Sequence, residues 1–385
     1  MQSPEAKCKF ILGAGSVGPI PALICAYNCL CKAHWRASRP FLPVPVPSYL
    51  IVVGASAGGI PALVRLVAQL PRHLPAAVLV VQHLSAESQG DIIVERLASH
   101  TGLRCMLATD QYPLEAGTLY LAPPDCHLLA KEDRVLVTKG PRENHYRPAV
   151  DALFRSAAVA YGPHVVGVVL TGMLHDGTAG LDFVKRCGGV AVVQDPADAE
   201  FSSMPTSALH AVEIDYVVPL DRMGELLMQL VAGPHAEQPG STFIPPDLKL
   251  EATIAERHMG TVEQVSQLGH QIPLTCPDCG GSLWEVEHGN VQRFRCHTGH
   301  AFTATHLAES SRQALEETLW VALRMMEERK ILLSSMAARE GSEWQARHTT
   351  ERLDDIKGHI NRLREFMLNT KDAGPDGNSN GVPVP

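Results

Sequence analysis

Short, wholly apolar runs punctuate residues 48–232. Tyr49-Leu-Ile-Val-Val53 stops at a glycine. Ala77 to Gln82, Val165 to Thr171 and Val190 to Gln194 repeat the pattern, and Tyr216-Val-Val-Pro-Leu220 is the last such run. Short length, β-branched content and glycine punctuation favour strands over helices. Between them lie stretches of helical pattern, such as Ile60 to Leu70 and Val150 to Ala160. Strands alternating with helices predict an α/β fold: a doubly wound, mostly parallel sheet with helices on both faces.

The pattern weakens after Ala232. Residues 233–270 read as a linker, with some helix around Leu248 to Ala255. A small cysteine-containing module follows at 271–304. Beyond it, Leu315, Leu319, Ala322 and Met326 recur at three-four spacing, and Leu353, Ile356, Ile360, Leu363 and Met367 do the same. With Glu340-Gly-Ser342 as the turn, residues 305–370 predict an antiparallel helical hairpin. The Gly-, Pro- and Asn-rich tail, 371–385, is expected to be disordered.

The first 47 residues are harder to place. Phe10 to Cys31 carries no charged residue and follows Lys7 and Lys9, but glycines and prolines interrupt it. A dispensable leader or mis-assigned start is the first reading; a membrane or export segment is the other. Gly13-Ala-Gly-Ser-Val-Gly18 matches a dinucleotide-binding glycine pattern. The acidic residue needed about 20 positions on is missing from Lys32-Ala-His-Trp-Arg36, so that reading is set aside.

Composition narrows the field. The chain has 385 residues, 45% of them hydrophobic and 19% charged, enough for a sizeable core. A formal net charge of -8 argues against nucleic acid as a partner. A secreted disulfide framework fits poorly with so long an α/β chain, so the ten cysteines point to a reducing, cytoplasmic compartment.

In an open parallel sheet, ligands bind beyond the carboxyl ends of the strands. Gly54-Ala-Ser-Ala-Gly-Gly59 follows the first strand, Gln82-His83-Leu84 the second, and Gly172-Met-Leu-His-Asp176-Gly177 the third. Ser56, His83 and Asp176 therefore share one rim. A serine hydroxyl needs a base, histidine can serve near neutral pH, and a carboxylate can hold the imidazole tautomer. Ser56 lies in a Gly-x-Ser-x-Gly turn at a helix start, where N–H groups suit a developing oxyanion. Taken alone, the glycine turn could equally bind phosphate, and His83 or Asp176 could be structural.

Residues 48–232 resemble the catalytic domain of the CheB-type chemotaxis receptor methylesterases. The resemblance is carried by Val52-Val-Gly-Ala-Ser-Ala-Gly-Gly59, Val80-Val-Gln-His83 and Ala122-Pro-Pro-Asp125. Arg147-Pro-Ala-Val-Asp-Ala-Leu-Phe-Arg-Ser156 and Leu170-Thr-Gly-Met173 through Asp176-Gly177 continue it. Gln194-Asp-Pro196, Glu200-Phe201 and Met204-Pro205 complete it. The resemblance implies a Ser56–His83–Asp176 triad that hydrolyses glutamyl methyl esters through an acyl-enzyme, with glutamine deamidation as a second activity and no catalytic cofactor. It implies an oxyanion site near Met173 and Ala57. The expected partners are methyl-accepting chemotaxis receptors, met as a cytoplasmic helical bundle in an open cleft, together with other chemosensory proteins. Arg147 and Asp151 either line the cleft or cap a helix and pair at the surface. His175 is expected to be a loop side chain.

Two positions depart from the family pattern. Ala57 stands where threonine is common, and Leu174 where glycine is usual, so that loop must accept a Cβ or shift. Residues 1–47 are too few for the receiver domain many members carry, so phosphorylation control in cis is expected to be absent. A catalytically weak scaffold and a hydrolase of other carboxylic esters remain open as rival functions.

In the cysteine module, Cys276-Pro-Asp-Cys279 precedes Cys296-His-Thr-Gly-His300 by sixteen residues. Three thiolates and one imidazole make a closed tetrahedral set for structural Zn²⁺, with His300 as fourth ligand and His297 its rival. A segment this short needs such a staple.

Overall fold

The computed structural model describes residues 47–232, 244–257, 259–339 and 343–369. The leader, the Gly13–Gly18 motif, the 340–342 turn and the 371–385 tail lie outside the described residues.

Seven strands form one parallel sheet in the order β3-β4-β2-β1-β7-β8-β9. They are β1 (Tyr49–Ala55), β2 (Ala76–Gln82), β3 (Arg104–Leu107), β4 (Thr118–Leu121), β7 (Val165–Val169), β8 (Val190–Gln194) and β9 (Tyr216–Val218). A small antiparallel hairpin, β5 (His127–Ala130) and β6 (Val135–Thr138), stands apart. Along β1, Leu50 and Val52 join one core while Ile51 and Val53 join another. Both faces are thus covered, which explains runs that are continuous rather than alternating.

Helices α1 (Gly59–Val67), α2 (Gly90–Ala98) and α6 (Leu220–Val231) bury their apolar sides in the Ile51 core. Helices α3 (Val150–Tyr161), α4 (Thr178–Arg186) and α5 (Ser203–Ala211) cover the Leu50 side.

The stretch read as a linker is more ordered than expected. Helix α7 (Pro246–Glu256) places Leu248, Ala252 and Ile254 in the core, and a short α8 (Val262–Val265) starts with a Thr261/Gln264 capping box. Then β10 (Gly269–Thr275), β11 (Ser282–Val286), β12 (Arg293–Cys296) and β13 (Ala301–Thr303) form an antiparallel ribbon. The helical hairpin is α9 (Ala304–Ala337) and α10 (Glu343–Asn369). Its core takes Leu323 and Leu333 rather than Leu315, which is 54% exposed. Among the described residues no helix is long and apolar enough to cross a membrane.

A buried ionic lattice ties the ribbon to the sheet unit. Arg155 on α3 grips Glu143 at 2.9 and 2.5 Å, and Arg295 on β12 reaches the same carboxylate at 3.3 Å. Arg293 chelates Glu251 of α7 at 2.9 and 2.8 Å. Burial alone would raise Glu143, but Arg155 and Arg295 hold it down at about 2.

Candidate active site

Strand order explains why three distant residues meet. Strand β1 lies between β2 and β7, and the chain leaves β1 toward β2 on one side before crossing to β7 on the other. This is a topological switch point, where a crevice opens beyond the strand ends. Ser56 follows β1, His83 follows β2 and Asp176 lies in the loop after β7. Ser56 N donates to Thr171 O and His83 N to Ala55 O, which pins the turns together.

The side chains form a continuous relay. His83 Nδ1 is 3.0 Å from Ser56 Oγ, and His83 Nε2 is 2.8 Å from Asp176 Oδ2. Close approach demands glycine at 172: a Cβ there would sit 2.1 Å from Met204 Sδ and 2.9 Å from the Ser56 Cβ.

Asp176 is fully buried, and its oxygens are saturated. Besides His83 it accepts from Val150 N at 2.6 Å, Asp151 N at 3.3 Å and Asn144 Nδ2 at 3.2 Å. Val150 and Asp151 open α3, so the carboxylate sits on a helix N-terminus. Burial pushes its pKa up; the His83 bond and charge, the Val150 N–H and the Asn144 amide outweigh that and lower it. It is ionised at neutral pH.

Asp151 lies beneath the relay, not on an open cleft wall. It is 3% exposed and accepts from Gly177 N at 2.9 Å and Gly180 N at 2.6 Å, at the start of α4. The two helix starts therefore exchange anions. Burial first, and then the charge of Asp176, raises Asp151 well above the usual carboxylate range despite the Gly180 N–H. Arg147 turns to Asp125 at 2.9 Å and to Gly140 O at 2.8 Å. His175 sits on its loop with its ring against His306, centroids 5.7 Å apart.

Ala57 and Met173 flank Ser56. Among the described residues no hydrogen bond from either backbone N–H is found, whereas Ser56 N is committed to Thr171 O. Met173 is 52% exposed, and Leu174 beside it takes φ +67. The loop thus holds a leucine in the left-handed conformation that glycine prefers.

Several contributors were not singled out by sequence reasoning. Tyr146 stacks on His83, and Asn144 bridges Asp151 and Asp176. Buried Gln82 donates to Ser56 O at 2.8 Å. His306 comes from α9, in the C-terminal region. Asn144 and Tyr146 fall just before the Arg147 stretch, so proximity to that stretch was the one available signal.

In the ribbon, one ligand atom each from Cys276, Cys279, Cys296 and His300 lie within 4.8 Å of one another, a set that could hold a metal ion. Two knuckles build it. Gly280 N donates to Cys276 O at 2.8 Å, and Gly299 N to Cys296 O at 3.0 Å. His297 lies outside the set, its ring edge-on to Trp284.

The family described as CheB methylesterase matches residues 51–227. A Leptospira interrogans protein with the provisional name protein-glutamate methylesterase/protein-glutamine glutaminase is 39% identical over 183 residues, 47% of this chain and 93% of that protein. A protein-glutamate methylesterase/protein-glutamine glutaminase of Xanthomonas euvesicatoria is 41% identical over 187 residues; the match covers 48% of this chain and 52% of that relative. The crystal structure of the Thermotoga maritima CheB methylesterase catalytic domain aligns with 34% identity and a TM-score of 0.46, covering 47% of this chain and 98% of that one. With the Leptospira relative matched at 39% identity over 93% of its length, the chain belongs to the CheB methylesterase family, its catalytic domain filling about half the sequence and a further C-terminal region following it.

Proposed function

We propose that the chain hydrolyses glutamyl methyl esters on chemotaxis receptors, with Ser56 as nucleophile, His83 as general base and acid, and Asp176 as its orienting carboxylate. The observation that carries this reading is the unbroken Ser56–His83–Asp176 relay on three adjacent strand ends. His83 Nδ1 takes the Ser56 proton as Oγ attacks the ester carbonyl. Ionised Asp176 stabilises the imidazolium and fixes its tautomer. The Ala57 and Met173 N–H groups, which have no other acceptor among the described residues, would receive the oxyanion. His83 then protonates the departing methoxide oxygen, so that methanol leaves, and water, deprotonated by His83, releases the glutamate. With a glutamine side chain the same steps would release ammonia. The substrate segment would be a helix of a receptor's cytoplasmic bundle.

The ribbon cluster is proposed to hold structural Zn²⁺. A tetrahedral site with Zn–S bonds of about 2.3 Å has sulfur–sulfur edges of about 3.8 Å, and Cys279 and Cys296 Sγ lie 3.9 Å apart. Asp278 Oδ2 stands 3.8 Å from His300 Nε2, where a carboxylate steadies a ligating imidazole turned to the metal through Nδ1. Bound there, zinc would supply folding energy to the ribbon.

Incubation of the purified protein with membranes carrying radiolabelled, methylated receptors tests the catalytic reading. Labelled methanol should appear, and Ser56→Ala should abolish it. Release that persists in Ser56→Ala would sink the proposal.

A further inference from the structure

One turn touches both the relay and the ribbon. Glu143-Asn-His-Tyr146 precedes α3, and its residues divide their contacts between the sheet unit and the C-terminal region. Glu143 is shared by Arg155 and Arg295. His145 meets Ser310 and Asp278. Tyr146 lies between His83 and His306. Asn144, 3% exposed with φ +49, makes hydrogen bonds to both sides of the junction. Its Nδ2 donates to Asp151 Oδ2 at 2.8 Å and to Asp176 Oδ1 at 3.2 Å. Its Oδ1 accepts from Thr303 N at 3.0 Å, and its own N donates to Ala301 O at 2.9 Å.

This arrangement determines which way the amide points. A backbone N–H can only donate, so Thr303 N requires the Asn144 oxygen to face the ribbon. The NH₂ group must then face the carboxylates. Turned the other way, the amide would aim its oxygen at Asp176 and orphan a buried N–H. The correct rotamer engages Asp176 Oδ1 and leaves Oδ2 to His83 and Val150 N.

We propose that Asn144 is a positioning residue for Asp176 and that the C-terminal ribbon, through Thr303 and Ala301, holds it in place, making the ribbon a working part of the esterase site. The inference rests on the triad reading above. It explains why a module with no relay residue packs against the relay, and it means that whatever loosens the ribbon lowers turnover.

The test is a double-mutant cycle on the full chain, with kcat and KM measured separately on methylated receptor. Asn144→Gly removes the amide at a φ glycine accepts. Thr303→Pro removes the N–H at φ −74, which proline adopts. Each should lower kcat, Asn144→Gly by roughly 10- to 100-fold, the scale of a hydrogen bond to a charged group, with KM little changed. Because Thr303 acts through Asn144, the double variant should turn over no more slowly than Asn144→Gly alone. Asn144→Asp still accepts from Thr303 N but sets a carboxylate against Asp176 and Asp151; its kcat should fall below that of Asn144→Gly. Additive losses in kcat, or near wild-type kcat in Asn144→Asp, would reduce Asn144 to a docking strut and overturn the inference. Should Asn144→Gly fail to fold, Thr303→Pro carries the same kcat-against-KM reading. Ser56→Ala separates the two levels. If it is inactive while the Asn144 and Thr303 variants behave as wild type, this inference alone fails; if it is active, the triad reading fails with it.

Discussion

The imidazole of His83 lies flat on the phenol ring of Tyr146, centroids 3.6 Å apart and planes 9° from parallel. An aromatic face holds the imidazole plane while leaving both nitrogens free for Ser56 and Asp176. It also stabilises the positive charge the ring acquires as Ser56 is deprotonated. Tyr146→Phe keeps the face and should retain wild-type kcat. Tyr146→Ala should lower kcat with little change in KM, by about 2- to 12-fold given about 0.5–1.5 kcal/mol for an aromatic pair. Steady-state kinetics on methylated receptor decides, and an unaltered kcat in the alanine variant would show the stack to be idle.

Leu174 offers a stabilising change. It holds φ +67 and is 39% exposed, so its strain is offset by little packing. A left-handed residue with a Cβ costs about 1–2 kcal/mol. Leu174→Gly should recover about 1 kcal/mol, seen as a higher denaturant midpoint at unchanged slope. A lower midpoint would mean that the leucine makes contacts outweighing its backbone strain.

The Glu143 lattice predicts a pH-dependent stability difference. Glu143 is held at about 2 in the folded protein, against about 4.3 in an unfolded chain. Its stabilisation is therefore complete above about pH 4.3 and is lost as pH falls toward 2. Glu143→Gln leaves Arg155 and Arg295 short of a counter-charge and should cost about 3–5 kcal/mol at pH 7. Denaturation of both proteins from pH 7 to pH 2.5 should show that gap narrowing on the acid side. A gap independent of pH would assign the loss to packing instead.

Metal removal should act on the ribbon first. One zinc per chain is expected by elemental analysis, and Cys296→Ser should retain much less. Chelation should lower the melting temperature and loosen the cluster of Trp284 with Ile254, Val265 and Leu268, visible as altered tryptophan emission. A metal-free protein with wild-type melting and emission would rule out a structural ion.

Much of the architecture could be read from local pattern. The central strands are apolar on both faces, and the relay residues sit just past their ends, where an open α/β sheet exposes loops. The edge strand Arg104–Leu107 and its neighbour Thr118–Leu121 escaped notice because each is four residues long and β3 is only partly buried. The helix around Leu248 to Ala255 was legible within the stretch read as a linker, whereas its docking was not, because Leu248 and Ile254 find their partners in clusters built from distant parts of the chain. The role of Asn144 was not legible beyond its place just before the Arg147 stretch. An asparagine before a helix is ordinary, and its role depends on Ala301 and Thr303, far along the chain.

That long reach has a consequence for synthesis. Ribosomes deliver the nucleophile first and the loop bearing Asp176 over a hundred residues later, yet the amide that steadies this aspartate waits for Thr303. A nascent chain stalled between Asp176 and the last ribbon strand would carry every relay residue and still lack the partner that orients Asn144, so the hydrolase would mature only once that strand has been made.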